Sequence, residues 1–327
     1  MARKARFEEA GGLYHIINRG SYRSWIFETE GAKKSFEKTL MEAYNRSGWI
    51  LHAFCVMGNH YHLALETPEP NLSEGMRWLQ SVYAMRFNRF RKENGHIFQG
   101  RYKSIVLEGV ERLGWLCHYI HLNPVRAGIC SVAELRSYRY SSYWHLWDKR
   151  KRPGCMDFEA CLGSAGSLKD ITAGRRKYME YLTWLAEDEP RQKILNFDRM
   201  SKGWAIGGKK FKEGLLKDEK HLKACLKLGV NEAREMRETA WAYRVERCCD
   251  VLGKSADHIV NDLKSADWKV ATAAYMKKKL LCRNGWLAER LSMGTESAVA
   301  RYTSEFFRGE RQQVAPFYEK LIAKVLD

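Results

Sequence analysis

The sequence is short of several things, and each shortage excludes a class. Proline occurs only 6 times in 327 residues and no stretch is of low complexity, so an extensively disordered or fibrous chain is excluded. No apolar run approaches the roughly 20 residues that span a bilayer. The longest near the N-terminus, 49–57, is interrupted by His52. The charged opening Met-Ala-Arg-Lys-Ala-Arg-Phe-Glu-Glu leads into no apolar signal core, so neither a membrane span nor secretion is expected and the chain reads as cytoplasmic. Its 9 cysteines are odd in number and form no Cys-x-x-Cys pair. That argues against a disulfide framework or a zinc ribbon and leaves reduced, mostly buried thiols.

Acidic residues are also short: 39 Asp and Glu face 56 Lys and Arg, a net charge of +17. The excess is spread along the chain, with 22 basic against 14 acidic residues in 1–150 and 34 against 25 beyond. Such a balance attracts a polyanion, nucleic acid first.

What is present reads as an α+β domain followed by helices. A β-rich run at 13–18, a helical spacing over 31–47, strand candidates at 49–57 and 60–67 joined by the Gly58-Asn59 turn signal, and a helix after Asn71 give βαββα. An alternating run at 102–108 and a helical spacing at 111–122, stopped by Asn123-Pro124, complete βαββαβα. The charged run at 148–154 is taken as a boundary. The expected layout is a first domain at 1–147, a partly helical connection at 148–200 and a helical domain at 201–327. The glycines and lysines of 204–211 suit a linker or a phosphate contact.

In His60-Tyr61-His62, on a strand, the two imidazoles project from one face and Tyr61 from the other. Two imidazoles so placed can share a metal, although the pattern equally serves a half-exposed polar pair. Tyr119 and Asn123 share a helical face at i and i+4. Two imidazoles and an amide oxygen would make a site for Mg²⁺ or Mn²⁺, beside which a tyrosine could attack a phosphodiester. An ordinary core tyrosine is the competing reading.

Four motifs in order carry a resemblance: Tyr14-His15-Ile16-Ile17-Asn18-Arg19-Gly20; Val56-Met57-Gly58-Asn59-His60-Tyr61-His62-Leu63; Gly95-His96-Ile97-Phe98-Gln99-Gly100-Arg101-Tyr102-Lys103; and Tyr119-Ile120-His121-Leu122-Asn123-Pro124-Val125-Arg126-Ala127-Gly128. Over 10–145 the chain resembles the single-tyrosine HUH (IS200-like) transposases, and within them the REP-associated tyrosine transposases. The resemblance implies a ferredoxin-like βαββαβα fold with an antiparallel sheet, His60 and His62 as metal ligands, Asn123 completing the metal site and Tyr119 as nucleophile. It also implies site-specific cleavage and strand transfer of single-stranded hairpin or palindromic repeat DNA through a 5′-phosphotyrosine, with Mg²⁺ or Mn²⁺ as cofactor. A monomer and a homodimer both remain open. A domesticated DNA-binding regulator without turnover is the alternative, and an RNA-binding protein with a structural metal is a weaker one.

Arg86, Arg89, Arg101 and Lys103, interleaved with aromatics, are expected to contact single-stranded DNA, with Arg19 and Arg126 in the same channel. Phe87 and Phe90 fit the apolar stripe of their helix instead. In 286–308 the apolar positions Ala288, Leu291, Met293 and Val299 fit a helix-turn-helix with its turn at 292–295, a recognition helix at 296–307 and Arg301 facing duplex DNA. Lys277, Lys278 and Lys279 read as a solvated face.

Overall fold

The computed structural model describes residues 7–216 and 232–325. They divide into two compact units, Arg6–Phe211 and the part from Lys212 onward.

The first unit is built on a five-stranded sheet in the order β2-β3-β1-β4-β5. Strand β1 (Gly12–Arg19) lies centrally, antiparallel to β3 (His60–Thr67) on one side and β4 (Lys103–Leu107) on the other. Strand β2 (Ile50–Val56) forms the expected hairpin with β3. Helix α1 (Glu30–Ser47) follows β1, capped by Thr29, whose hydroxyl accepts from the Ala32 N–H, and closed by Gly48 at φ 66°. Helix α2 (Leu72–Arg91) follows β3 and α3 (Gly109–His121) follows β4, so the order βαββαβα is observed. Asn71 does not cap α2. Its side chain accepts from Trp49 Nε1 at 2.6 Å and donates to the Ser47 carbonyl at 2.8 Å, tying the helix start to the α1–β2 turn.

Directly paired residues point to the same face of a sheet. Tyr14 and Ile16 of β1, with Tyr61, Leu63 and Leu65 of β3, face α1 and α2, where Phe27, Phe36, Tyr61 and Tyr83 form an aromatic cluster with Phe36 and Tyr61 ring centres 4.6 Å apart. Phe87 joins its edge, 6.0 Å from Tyr83, whereas Phe90 is 80% exposed and lies outside the core. His15, Ile17 and Arg19 share the opposite face with Ala64, His62 and His60, and α3 covers it. Close approach fixes α3: a Cβ on Gly114 would stand 2.5 Å from Ser164 Cβ and 2.6 Å from the Ala160 carbonyl oxygen.

Beyond α3 come α4 (Asn123–Arg126), α5 (Ser142–Trp147), α6 (Glu159–Ser164), α7 (Thr172–Glu187) and α8 (Glu189–Ile194). The chain does not leave the sheet at the charged run of 148–154: just past it, residues 155–157 return to the sheet, and the first compact unit continues to Phe211. The Leu51 N–H donates to the Cys155 carbonyl at 2.8 Å and the Asp157 N–H to the Leu51 carbonyl at 3.0 Å, so this segment covers the edge of β2. Arg152, whose side chain is 14% exposed, meets Asp170 at 2.6 Å, and Arg175 meets the same carboxylate at 2.7 Å. Within the run, Arg152 is thus largely covered and paired, while Lys149, Arg150 and Lys151 are exposed. The segment 204–211, open between a linker, a phosphate contact and an exposed turn, is structured: β5 (Ala205–Ile206) adds in parallel to β4, and the Gly208 N–H donates to the Glu108 carboxylate at 2.6 Å. Helix α9 (Lys209–Leu215) crosses the division.

The second unit is helical through its described residues: α10 (Glu232–Leu252), α11 (Ala256–Asn261), α12 (Asp267–Leu280), α13 (Asn284–Arg290), α14 (Glu296–Phe307) and α15 (Ala315–Lys324). Helix α12 is the hub, buried along Trp268, Val270, Ala271, Ala273, Ala274 and Met276. Even Lys269 is buried, its Nζ donating to the Ile259 and Asp262 carbonyls at 2.8 Å each. Lys278 and Lys279 are exposed, but Lys277 donates to Thr303 Oγ1 at 2.7 Å and so ties α12 to α14. Helices α13 and α14 stand where the sequence put them, with Leu287, Ala288, Leu291, Met293 and Val299 buried and Thr295 capping α14. No helix among the described residues is long and apolar enough to cross a membrane. Six of the cysteines, Cys55, Cys117, Cys161, Cys248, Cys249 and Cys282, are buried and unbridged, while Cys225 lies outside the described residues.

Candidate active site

The hairpin places His60 and His62 on the face that α3 covers, with ring centres 5.0 Å apart. Helix α3 brings Tyr119 edge-on to His62 at 5.8 Å and to His15 at 6.0 Å. The two histidines and the tyrosine singled out in the sequence are thus brought together across a strand and a helix 57 residues apart. Tyr61 points to the opposite face, is fully buried, and accepts from Gln80 Nε2 at 3.0 Å, which removes it as a competing nucleophile.

Burial dominates the electrostatics. It pushes the His62 imidazole well below its ordinary range, helped by the neighbouring rings of His15 and His60 and by Arg126. His60 is lowered to about 4 by burial and then by Arg19, its cross-strand partner. Both are therefore neutral near pH 7, the form that ligates a metal. Asn123 sits at the first position of α4, and its Nδ2 is buried without a hydrogen-bond partner. Two neutral imidazoles on one face, with an amide whose oxygen could ligate one helical turn beyond Tyr119, are a donor set whose chemistry fits a hard-to-borderline divalent cation. Among the described residues no group of three or more His, Cys, Asp and Glu side chains is arranged to hold a metal.

Tyr119 is only 8% exposed. Its hydroxyl is 2.9 Å from Ser201 Oγ, the Phe197 ring meets its ring at 5.5 Å, and the Arg126 guanidinium lies 4.8 Å over it. Neither Phe197, in the expected connection at 148–200, nor Ser201, at the start of the expected helical domain, carried a signal that would place it here. His15 could have been found, since pairing β1 with β3 in antiparallel register puts it on the histidine face. It is fully buried, lowered to about 3 by desolvation, and stands 2.9 Å from His62 Nδ1.

The basic residues expected on DNA separate into groups. Arg19 and Arg126 border the site, and Lys103 stands opposite Ile17 on the same face. Arg101 is exposed at the turn before β4. Arg86 is engaged with α1 instead, donating to Thr39 Oγ1 at 2.7 Å and pairing with Glu42 at 2.8 Å. Arg89 is exposed on α2, behind the sheet from the histidines. Arg301 lies in the second unit, 3.6 Å from Glu305 and stacked 5.1 Å from the Tyr302 ring.

The site thus joins a tyrosine and paired strand histidines on one covered face of the sheet. Residues 10–123, from just before β1 to the start of α4, match the family model of IS200-like transposases. No curated protein matches the chain. Among solved structures it is similar to one described as a REP-associated tyrosine transposase bound to a REP hairpin, with 17% identity and a TM-score of 0.38 over 49% of this chain and 96% of that one.

Proposed function

We propose that this protein is a REP-associated-type HUH transposase, a metal-dependent endonuclease and strand transferase for single-stranded hairpin DNA. The observation that carries the reading is the edge-on approach of Tyr119 to His62 on a face where His60 and His62 are both neutral. The sheet order β2-β3-β1-β4 with its crossover helices supports a ferredoxin-like core.

Tyr119 Oη attacks the phosphorus, the bond to the 3′ oxygen breaks, and the strand leaves with a free 3′ hydroxyl while its 5′ phosphate stays on the tyrosine. A phosphotyrosine diester replaces a phosphodiester, so a second 3′ hydroxyl can reverse the step without ATP. His60, His62 and Asn123 would hold Mg²⁺ or Mn²⁺, which polarises the phosphate when bound. Arg126, over the tyrosine ring, and Arg19, beside His60, supply positive charge where the phosphate must sit. Arg101 and Lys103 extend the channel along the strand. Helices α13 and α14 form a helix-turn-helix that adds duplex binding, with Arg301 on its second helix.

One observation favours a second reading, a DNA-binding regulator without turnover: Tyr119 is covered by Phe197 and its hydroxyl is engaged by Ser201. An assay separates the two. Labelled hairpins from inverted repeats flanking the coding region are incubated with Mn²⁺, as single strand, duplex and RNA. The enzyme reading expects a covalent adduct on single-stranded DNA that Tyr119→Phe abolishes while binding persists. Adduct formation by Tyr119→Phe overturns the assignment of the nucleophile. Binding without adduct in the parent protein favours the regulator.

A further inference from the structure

His15 is fully buried between β3 and α3, and none of the chemistry above uses it. Its Nδ1 is 2.8 Å from the Met200 carbonyl oxygen and its Nε2 is 2.9 Å from His62 Nδ1. A carbonyl oxygen can only accept, so the His15 proton resides on Nδ1. A neutral imidazole carries one ring N–H, which leaves His15 Nε2 as a bare acceptor. The bond to His62 then requires a proton on His62 Nδ1, and the lone pair of His62 is left on Nε2. His60 is treated in parallel: its Nδ1 is 2.6 Å from Asn59 Oδ1, and the Asn59 amide is oriented by its Nδ2 donating to the Arg23 carbonyl at 3.3 Å. Both strand histidines therefore have Nδ1 occupied as donor and Nε2 free.

We propose that His15 is a positioning residue that sets the tautomer of His62 through the relay Met200 carbonyl, His15, His62, and so fixes which nitrogen His62 offers to a divalent cation. The inference rests on the metal-site reading above and adds to it the residue that prepares one ligand. A histidine ligand whose second nitrogen donates to a buried acceptor keeps its ring orientation and basicity, and losing such a partner typically weakens metal binding by about 10–100-fold. An apolar side chain at 15 would leave His62 Nδ1 buried without an acceptor and free to lose its proton to Nε2.

The experiment has two parts. In the metal-free parent protein, long-range ¹H–¹⁵N correlation spectra of the histidine rings should show His15 and His62 as Nδ1–H tautomers. An Nε2–H signature on His62 would overturn the relay. Mn²⁺ binding is then titrated by electron paramagnetic resonance on the full chain for the parent, His15→Phe and His15→Gln. The Gln amide oxygen can still accept from His62 Nδ1. Mn²⁺ affinity should fall about 10–100-fold in His15→Phe and return to within about threefold of the parent in His15→Gln, with near-ultraviolet circular dichroism confirming that each remains folded. Equal affinity in a folded His15→Phe refutes the role of His15 while leaving the metal site standing. Absence of Mn²⁺ binding by the parent overturns the metal site itself, and the inference falls with it. If His15→Phe does not fold, the tautomer spectra of the parent alone decide.

Discussion

Acid should unfold the first unit well above the pH at which its carboxylates protonate. His15, His118 and His121 are lowered to about 3 and His60 to about 4, in each case first by burial. Unfolded, each would titrate near its ordinary value of about 6.5. Below that pH the unfolded chain takes up protons that the folded unit refuses, so stability is complete above pH 6.5 and falls steadily as the pH drops toward the folded values. One pH unit below 6.5, each such histidine costs a little over 1 kcal/mol, and the four together roughly 5 kcal/mol. A domain's whole stability is typically about 5–15 kcal/mol. The midpoint of acid unfolding is therefore expected between about pH 4.5 and 5.5. Asp170, held at about 2 mainly by Arg152 and Arg175 against its own desolvation, contributes its loss only at lower pH, so the two windows separate. Urea unfolding followed by near-ultraviolet circular dichroism at pH 7.5, 6.5 and 5.5, with potentiometric counting of protons taken up, measures the effect. Equal unfolding free energies at pH 7.5 and 5.5, or no proton uptake on unfolding at pH 5.5, would refute the claim that these histidines are buried neutral.

Other perturbations test how the site is held. Tyr178 Oη bridges His118 Nδ1 at 2.9 Å and His121 Nδ1 at 2.8 Å, so Tyr178→Phe strands a buried imidazole nitrogen; a loss of about 2 kcal/mol and a fall in Tm of about 4–8 °C are expected by calorimetry, and an unchanged Tm would show the bridge to be idle. Gly114→Ala forces α3 away from Ser164 and Ala160, which should lower stability by about 1–3 kcal/mol and slow adduct formation, read by denaturant unfolding and a covalent-adduct gel. A chain ending at 211 should be monomeric or dimeric and show native near-ultraviolet dichroism, whereas one ending at 147 uncovers the edge of β2 and should aggregate on size-exclusion chromatography. A well-folded chain ending at 147 would restore the boundary at 148.

The elements of the first unit were legible because burial imposes a period. The 3.6-residue stripe through Leu72, Met76, Leu79 and Tyr83 reports one buried face, and those residues are buried, whereas the β-rich runs at 13–18 and 60–67 belong to strands covered on both faces. His60 and His62 were legible as a pair because side chains alternate along a strand, and Tyr119 because it shares a helical face with Asn123 inside one of the four ordered motifs. The pairing of Arg86 with Glu42 was not legible, because a basic side chain on a helix gives no sign of which acidic residue waits on a neighbouring helix. A charged run looks the same in sequence whether solvated or paired, as Arg152 is with Asp170, so the run at 148–154 gave no sign that residues 155–157 return to the sheet. The deeper gap lies in the segment following α8. Its contributions are the Met200 carbonyl to His15, the Ser201 hydroxyl to Tyr119, the Phe197 ring beside that tyrosine, and β5 on the sheet edge. A backbone carbonyl has no residue signature, and Ser201 is 82 positions from the tyrosine it meets. The family-matched residues 10–123 hold the proposed nucleophile and the three proposed ligands, yet the acceptor that begins the histidine relay comes from position 200. Cutting the chain between α8 and β5 should therefore weaken Mn²⁺ binding without removing a single ligand, because His15 would lose the carbonyl that dictates where its proton sits.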